Sequence, residues 1–202
     1  MIEKLVSWDM QENTYLIWKN HDCVIIDPGC RYNEIVHFLE KHSLNLQAIL
    51  LTHGHFDHIV AVDELSEKYH CPVYAHQLTA SFVKDDNLTL GKVVNTPVLD
   101  IGKGITICDM HFDFIYTPGH THDSGLYYYK EENALFTGDT LFKNSIGRYD
   151  LPTANVEELI QSLRKIAFLN FDAVVYPGHG PQSTLSTEQM YNPYLRQIQE
   201  RR

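Results

Sequence analysis

The sequence predicts an α/β fold, because short β-type runs alternate along the chain with segments of helical periodicity. Residues 48–52, Ala-Ile-Leu-Leu-Thr, form a continuous apolar run that is typical of a strand buried on both faces of its sheet. Four predicted strands end in tight turns that present a histidine or an aspartate. The chain has 202 residues, of which 44% are apolar, so we predict one domain over residues 1–202.

The first predicted element is a β-hairpin. Residues 14–18 and 23–26 have strand composition, and residues 19–22 between them are polar and fit a turn. A helix is predicted from Asn33, where apolar residues recur at helical spacing. The hairpin and the helix precede the buried run at 48–52.

Two further helices are predicted from their apolar periodicity. One runs from about Asp57 to Tyr69. The other begins near Asn155, because Asn155 and Glu158 have the spacing of a capping box. The apolar residues of this helix fit a period of 3.6: Val156, Leu159, Ile160, Leu163, Ile166 and Ala167.

The ends of four predicted strands share one pattern, in which a strand is followed by a polar residue able to bind a metal. The four pairs are 48–52 with His53, 113–117 with His120, 134–137 with Asp139, and 173–176 with His179. Loops at the ends of rigid strands commonly carry functional sites. Pro-Gly-His occurs at 118–120 and again at 177–179, which indicates a fold made of two related halves.

Composition excludes several classes of function. The net charge is −10 without a basic block, which argues against nucleic-acid binding. No run approaches the roughly 18 apolar residues of a membrane span, and the N-terminus lacks the pattern of a secretory signal. None of the four cysteines forms a Cys-x-x-Cys pair, so we expect reduced thiols and a cytoplasmic location.

The strongest functional signal is the segment His-Gly-His-Phe-Asp-His at residues 53–58. Imidazole and carboxylate groups suit zinc, iron or manganese. On a loop between a strand and a helix, His53 and His55 can point the same way. Asp57 and His58 would lie at the start of the helix and face a direction different from that of His53 and His55. One segment can therefore supply ligands to two metal ions.

This segment cannot fill two coordination shells alone, and the remaining ligands are expected at the other strand ends. They are His120, Asp139 and His179. Of the seven candidate side chains, six would divide three and three between two metal ions, and one carboxylate would bridge the ions. The other seven histidines lack such settings and are not expected to bind the metals. They are His21, His37, His42, His70, His76, His111 and His122.

These motifs resemble the metallo-β-lactamase fold superfamily, whose signature is His-x-His-x-Asp-His followed by single His, Asp and His residues. Within it the chain is most similar to the glyoxalase II group in its short, single-domain bacterial form. Three segments carry that closer similarity: 136–142 (Phe-Thr-Gly-Asp-Thr-Leu-Phe), 147–152 (Gly-Arg-Tyr-Asp-Leu-Pro) and 177–181 (Pro-Gly-His-Gly-Pro).

The resemblance implies a four-layer αββα sandwich, with two mixed β-sheets face to face and helices outside. It also implies a ligand set for two divalent metal ions, with zinc expected first and iron or manganese as alternatives. One ion would be held by His53, His55 and His120, the other by Asp57, His58 and His179, and Asp139 would bridge them.

The chain departs from the group in segments that bear on the substrate. Tyr149 replaces a threonine, Thr153-Ala154 replace two glycines, and Thr121-His122-Asp123 replace Thr-Pro-Gly. Residues 180–202 are too few for the C-terminal helical domain that supplies much of the glutathione pocket in full-length glyoxalase II.

The expected function is hydrolysis of a small hydroxyacyl thioester by metal-bound hydroxide, which Asp57 would orient. Arg148 and Tyr149 are the candidate substrate-binding residues. The expected partner is this small molecule alone, with neither nucleic acid nor membrane, and the chain is either a monomer or a homodimer. One alternative is a persulfide dioxygenase with a single iron on His53, His120 and Asp139, and a lactonase or β-lactamase ranks lower.

Overall fold

Two six-stranded mixed sheets form the centre of the protein, and the first half of the chain builds the first of them. The computed structural model describes residues 1–200. The strands of this sheet, in chain order and spatial order alike, are β1 (Ile2–Val6), β2 (Asn13–Lys19), β3 (Asp22–Ile26), β4 (Asn45–Leu50), β5 (Val73–Ala75) and β6 (Val98–Asp100). β1, β2 and β3 are antiparallel, and β3 to β6 are parallel. The predicted hairpin at 14–26 is confirmed.

The second half of the chain builds the second sheet and a small hairpin. The strands are β7 (Gly104–Ile107), β8 (Met110–Tyr116), β9 (Gly125–Tyr129), β10 (Ala134–Gly138), β11 (Leu141–Phe142), β12 (Ser145–Ile146), β13 (Val174–Pro177) and β14 (Ser183–Thr184). The sheet has the order β14-β13-β10-β9-β8-β7, and β11 pairs with β12. Only β10 and β13 are parallel neighbours among the described strands of this sheet.

Helices connect and cover the strands. They are α1 (Tyr32–Lys41), α2 (Val62–Tyr69), α3 (Thr79–Phe82), α4 (Asp86–Thr89), α5 (Val156–Ala167), α6 (Leu185–Tyr191) and α7 (Pro193–Glu200). Two 3-10 turns span Phe56–His58 and Lys130–Glu132.

Three apolar layers hold the sandwich together. On β2, Leu16 packs in a cluster with Ile35 of α1, whereas its neighbour Ile17 packs in a cluster with Phe136 of the second sheet. The outer face of the second sheet packs against α5, where Leu163 is buried. Successive side chains of a strand point to opposite faces, so a strand apolar at every position is buried between two layers. The predicted four-layer αββα sandwich is confirmed.

The helix predicted from Asp57 to Tyr69 is wrong at its start. The chain makes the 3-10 turn at 56–58, and α2 begins only at Val62. The backbone N–H of Ala61 donates to the carbonyl of Pro28 at 3.0 Å, a bond outside the helical pattern. Asp57 and His58 are therefore presented by a tight turn rather than by the first turn of a longer helix.

The helix predicted near Asn155 is confirmed, with two differences. The Asn155 side chain accepts from the backbone N–H groups of Glu157 and Glu158 at 2.9 and 3.1 Å. In a capping box the side chain of Glu158 would accept from the backbone N–H of Asn155. Here that N–H donates instead to the carbonyl of Gly119 at 2.9 Å. Val156 and Ile160, two of the predicted apolar set, are 45% and 40% exposed.

None of the helices within residues 1–200 is long and apolar enough to cross a membrane. The four cysteines are unpaired, as predicted: Cys23, Cys30 and Cys71 are buried and Cys108 is exposed. The cytoplasmic location expected from the sequence stays a prediction.

Candidate metal centre

The seven predicted ligands meet at one edge of the sandwich, just beyond the carboxyl ends of four strands. His53 and the 3-10 turn follow β4, His120 follows β8, Asp139 directly follows β10, and His179 follows β13. β10 and β13 are adjacent and parallel, which brings Asp139 and His179 side by side. The two sheets touch here, because a Cβ at Gly138 (φ +46°) would lie 2.3 Å from Oγ1 of Thr52.

The first cluster contains three imidazoles whose ring nitrogens converge. Nε2 of His53 lies 3.2 Å from Nδ1 of His55, and Nε2 of His120 lies 3.0 Å from the same Nδ1. A tetrahedral ion with metal–nitrogen distances of about 2.0–2.1 Å separates its ligand nitrogens by about 3.3–3.4 Å. Both distances from Nδ1 of His55 are therefore close to the edge length of such a tetrahedron.

The second cluster is formed by Asp57, His58 and His179, and Asp139 joins it to the first. Oδ2 of Asp57 lies 3.2 Å from Nε2 of His179 and 3.9 Å from Nε2 of His58. Oδ1 of Asp139 lies 3.4 Å from Nε2 of His58. Oδ2 of Asp139 lies 3.6 Å from Nε2 of both His120 and His179. The Asp139 carboxylate thus faces both clusters, as a bridging ligand would.

Hydrogen bonds behind the rings fix where their protons lie. Thr52 Oγ1 donates to Asp27 Oδ2 at 2.6 Å, so it can accept from Nδ1 of His53 at 3.0 Å. Nδ1 of His58 donates to Asp27 Oδ2 at 3.0 Å, and Nδ1 of His120 donates to the carbonyl of Arg148 at 2.8 Å. The Nε2 atoms of these three rings then carry lone pairs that point into the clusters.

The residues fit divalent metal ions. Nε2 of His58 and Oδ1 of Asp139 are buried and find no hydrogen-bond partner within residues 1–200. A buried polar atom without a partner costs free energy. Coordination of a cation satisfies such an atom and relieves the repulsion of converging lone pairs. The chemistry of the donors, imidazole and carboxylate, is that of zinc, iron and manganese sites.

The two clusters differ in their protonation. Burial, helped by the neighbouring His120, lowers the pKa of His55 to about 3. Burial also lowers the pKa of His53. At His58 burial is outweighed by Asp139, Asp57 and Asp27, which raise its pKa well above the ordinary value. Burial is outweighed at His179 as well, and its hydrogen bond to Asp57 raises its pKa.

We expect the two ions to be released at different pH values. A metal must displace the protons of its imidazole ligands. His58 and His179 have raised pKa values, so protons compete for them already near neutrality, whereas His55 stays neutral down to about pH 3. As the pH falls, the ion at Asp57, His58 and His179 should leave first.

Metal content per chain after dialysis at stepwise lower pH checks this expectation. Imidazole NMR signals identify the cluster that is emptied. The content should fall from two ions to one while the signals of His58 and His179 change. Loss of both ions in a single step, or earlier change at His53 and His55, would contradict it.

Asp27 is a site residue that the sequence prediction missed. It is buried, has a φ of +50°, and accepts bonds from the backbone N–H of Thr52 (2.7 Å), from Thr52 Oγ1 and from His58. Asp27, His53 and His58 also form a group with the spacing of metal ligands. The Asp27 carboxylate contacts Nδ1 of His58 directly and reaches Nδ1 of His53 through Thr52 Oγ1. It therefore orients these two rings from the side opposite to their Nε2 atoms. The signal was available, since Asp27 follows the apolar strand β3 as the other ligands follow theirs.

Replacement Asp27→Asn should weaken binding of the ion held by His58 about 10–100-fold, the usual effect of losing a carboxylate behind a metal-binding histidine. Asparagine tolerates a positive φ, so the backbone is preserved. Competition with a chelator measures the affinity. The matched control is Asp22→Asn, because Asp22 accepts from Gln47 at 2.7 Å, outside the site. Equal affinities in the two variants would contradict the role of Asp27.

A cavity of about 450 Å³ opens above the clusters. His55, Asp57, His120, Asp139 and His179 line it, whereas His53 and His58 are buried beneath it. A depression of about 560 Å³ beside Trp18 and Phe38 is larger but contains none of the seven ligands.

The two predicted substrate residues lie in different places. Arg148 lines the cavity, and its exposed guanidinium forms two bonds to Asp150 at 2.7 and 2.9 Å. Tyr149 is 51% exposed and lines a separate groove. The seven other histidines take part in no group of three metal-binding side chains within residues 1–200.

The fold and the two joined clusters define a class of metalloprotein, the αββα sandwich with a dimetal-compatible His/Asp site at its strand ends. A family model described as the Metallo-beta-lactamase superfamily matches residues 8–179. The chain belongs to this superfamily, which confirms the resemblance seen in the motifs.

Curated relatives are similar over nearly their whole length. The chain is 37% identical to "Probable metallo-hydrolase YqgX" of Bacillus subtilis, over 92% of this chain and 93% of that protein. It is 32% identical to "Hydroxyacylglutathione hydrolase GloC" of Haemophilus influenzae, over 96% of this chain and 97% of that protein.

Solved structures give the same fold. The BLEG-1 B3 metallo-beta-lactamase has a TM-score of 0.89 and 35% identity, covering 96% of this chain and 99% of its own. TTHA1623 in a di-iron-bound form has a TM-score of 0.85 and 35% identity, covering 96% and 100%. The latter shows that a protein of this fold can hold two iron ions.

Proposed function

We propose that this protein is a dimetal hydrolase that cleaves a small hydroxyacyl thioester. The observation that carries the proposal is the convergence of two three-residue clusters on one shared carboxylate, Asp139, in the floor of an open cavity. Superfamily membership and a relative named as a metallo-hydrolase support a metal-dependent hydrolase. The relative named as a hydroxyacylglutathione hydrolase supports the thioester.

In this proposal His53, His55 and His120 would hold one ion and Asp57, His58 and His179 would hold the other, while Asp139 faces both clusters. Two divalent ions bound there would supply hydroxide near neutral pH and polarise a carbonyl oxygen. Interactions with the neighbouring histidines outweigh burial and lower the pKa of Asp57, so this carboxylate is ionised. An ionised Asp57 at the cavity wall accepts a hydrogen bond and thereby orients the attacking group.

The leaving group needs little help from the protein. A thiol has a pKa of about 8.5, so a thiolate leaves without a strong general acid. The described residues that line the cavity accordingly include ligands, apolar side chains, Ser145 and Arg148, with no lysine or tyrosine among them. This lining suits a thioester better than an amide, whose leaving nitrogen must be protonated.

Arg148 is proposed to bind a carboxylate of the substrate. Its guanidinium is exposed and pairs with Asp150, a geometry that a substrate carboxylate can reproduce. Arg148→Ala should raise KM for an anionic thioester about tenfold and leave kcat nearly unchanged, because the lost bond is to a charged group in the ground state and the transition state alike.

Steady-state kinetics of Arg148→Ala against Arg164→Ala, an exposed arginine on α5, measures this effect. The bond from His120 to residue 148 uses the backbone carbonyl and is kept in the variant. A fall in kcat with constant KM would contradict the binding role.

The function is tested by metal analysis of protein purified without added metal, followed by a thiol-release assay on lactoyl thioesters. Two ions per chain and thiol release are expected. Absence of cleavage by the dimetal form would overturn the proposal. One iron per chain with oxygen uptake on a persulfide would establish the dioxygenase, and release of a hydrolysed β-lactam in a parallel assay would establish the β-lactamase.

A further inference from the structure

An apolar groove runs along α5 beside the metal cavity. Tyr149, Val156, Ile160 and Tyr194 line it, and these side chains are 51%, 45%, 40% and 42% exposed. Its floor is made by buried residues of α5 and α7. The groove has a volume of about 190 Å³. α5 therefore carries an apolar surface wider than the part that the second sheet covers.

The groove and the metal cavity share a wall. Ile146, at the end of β12, lines both. Arg148 lines the cavity and the next residue, Tyr149, lines the groove. The segment from 146 to 149 is also fixed to the metal site, because the carbonyl of Arg148 accepts from His120. The two spaces therefore meet at Ile146, and a substrate chain that passes this side chain would enter the groove.

The lining of the groove selects the chemistry of that extension. Among the described residues that line it there is no Asp, Glu, Lys, Arg or His, and Gln197 is the polar side chain besides the two tyrosines. Thiol carriers such as glutathione bear charged groups, which lose hydration in an apolar groove without partners. The apolar part of a thioester is its acyl group, so the acyl group matches the groove.

We propose that the groove binds the acyl chain of the substrate, and that the preferred substrate is a 2-hydroxyacyl thioester with an apolar chain longer than the methyl group of lactoyl. The proposal rests on the thioester hydrolase function given above. If one methylene takes about the volume of a water molecule in the liquid, ~30 Å³, the groove holds roughly six carbons. The charged thiol then stays in the metal cavity, which Arg148 lines.

The test is a series of thioesters of one thiol, with lactoyl, 2-hydroxybutanoyl, 2-hydroxyhexanoyl and 2-hydroxyoctanoyl groups. In the wild type, kcat/KM should rise about three- to fourfold per methylene buried. Ile160→Asp places a charge in the groove and should lower the octanoyl-to-lactoyl ratio of kcat/KM at least about tenfold. Leu99→Asp alters a 44% exposed leucine on β6, in the opposite sheet, and should keep the ratio.

Two outcomes would overturn the proposal that the groove binds the acyl chain but would leave the proposed hydrolase function in place. One is a wild type that cleaves lactoyl thioester with no gain for longer chains. The other is an Ile160→Asp variant whose molecular mass changes while the dependence of kcat/KM on acyl chain length does not. That result would make the groove an interface between two copies of the chain. Static light scattering measures the mass of both aspartate variants.

A binding measurement keeps the inference testable if no thioester is cleaved, an outcome that overturns the proposed function. Titration with 2-hydroxyoctanoate and with lactate is followed by NMR signals of groove residues. Shifts at Val156 and Ile160 with 2-hydroxyoctanoate alone would support an acyl groove. Equal shifts with both acids, or none with either, would overturn it.

Discussion

Replacement Asp139→Ala is expected to lower kcat/KM at least about 10³-fold, because the stabilisation that a metal centre gives to a transition state amounts to several kcal/mol. Asp139 is the residue whose two carboxylate oxygens face different clusters, with Oδ1 at 3.4 Å from His58 and Oδ2 at 3.6 Å from His120. Its loss removes a negative charge from both sites at once. Metal content should fall below two ions per chain.

The pKa of Asp139 supports this role. Burial acts to raise it, but the neighbouring His58, His120 and His179 outweigh burial and hold the pKa well below the usual value for aspartate. The side chain is therefore an anion throughout the range in which metals bind. Asp139→Asn, which keeps the shape and removes the charge, should lose most of the same activity.

A matched control is Asp113→Ala, because Asp113 is exposed and pairs with His111 at 3.1 Å, away from the site. Metal content, measured by elemental analysis, and thiol release should both be unchanged in this control. Wild-type metal content in Asp139→Ala would show that each cluster binds without a bridge. It would remove Asp139 from the ligand set.

Replacement Gly178→Ala is expected to disable the centre without touching a ligand. A Cβ at this position would lie 2.3 Å from Oδ1 of Asp139 and 2.7 Å from Cε1 of His58. Contacts under 3.0 Å do not persist, so the bridging carboxylate or the imidazole must move. Misplacement of a reacting group by about 1 Å costs about 10²-fold in rate, and we expect a loss of that size with reduced metal content.

Gly180→Ala is the control two residues further along the same turn. A Cβ at Gly180 meets no atom within 4 Å, but its φ of +78° favours glycine. This variant should lose about 1 kcal/mol of unfolding free energy from the backbone alone and keep both ions. Thermal unfolding and metal analysis of the two variants separate strain from damage to the site. Full activity in Gly178→Ala would contradict the packing of this glycine against Asp139.

Much of the fold and of the site followed from local patterns. The continuous apolar run at 48–52 predicted a strand buried on both faces, and the resemblance carried by the motifs implied the four-layer sandwich. The strand-end positions of His120, Asp139 and His179 predicted their approach, because parallel neighbours such as β10 and β13 end at the same edge of a sheet.

Contacts between distant segments decided the rest. The bond from Ala61 to Pro28 ends the expected helix before it reaches Asp57, and no helical period records a bond across more than 30 residues. Asp27 likewise orients His58 through a contact between the ends of two strands, and a local sequence pattern does not record this contact. Tyr149 follows Arg148 in sequence, yet it lies in the groove because α5 and α7 pack beside it.

The sequence by itself therefore indicated seven candidate ligands at strand ends, since spacing along the chain is a local property, and the resemblance carried by its motifs implied the layers and the division into two triads. The tertiary structure alone decided which atoms orient the ligand rings on their Nδ1 side and that the cavity and an apolar groove meet at Ile146. These features depend on side chains brought together from both halves of the chain. The distances between such side chains cannot be read from local sequence patterns.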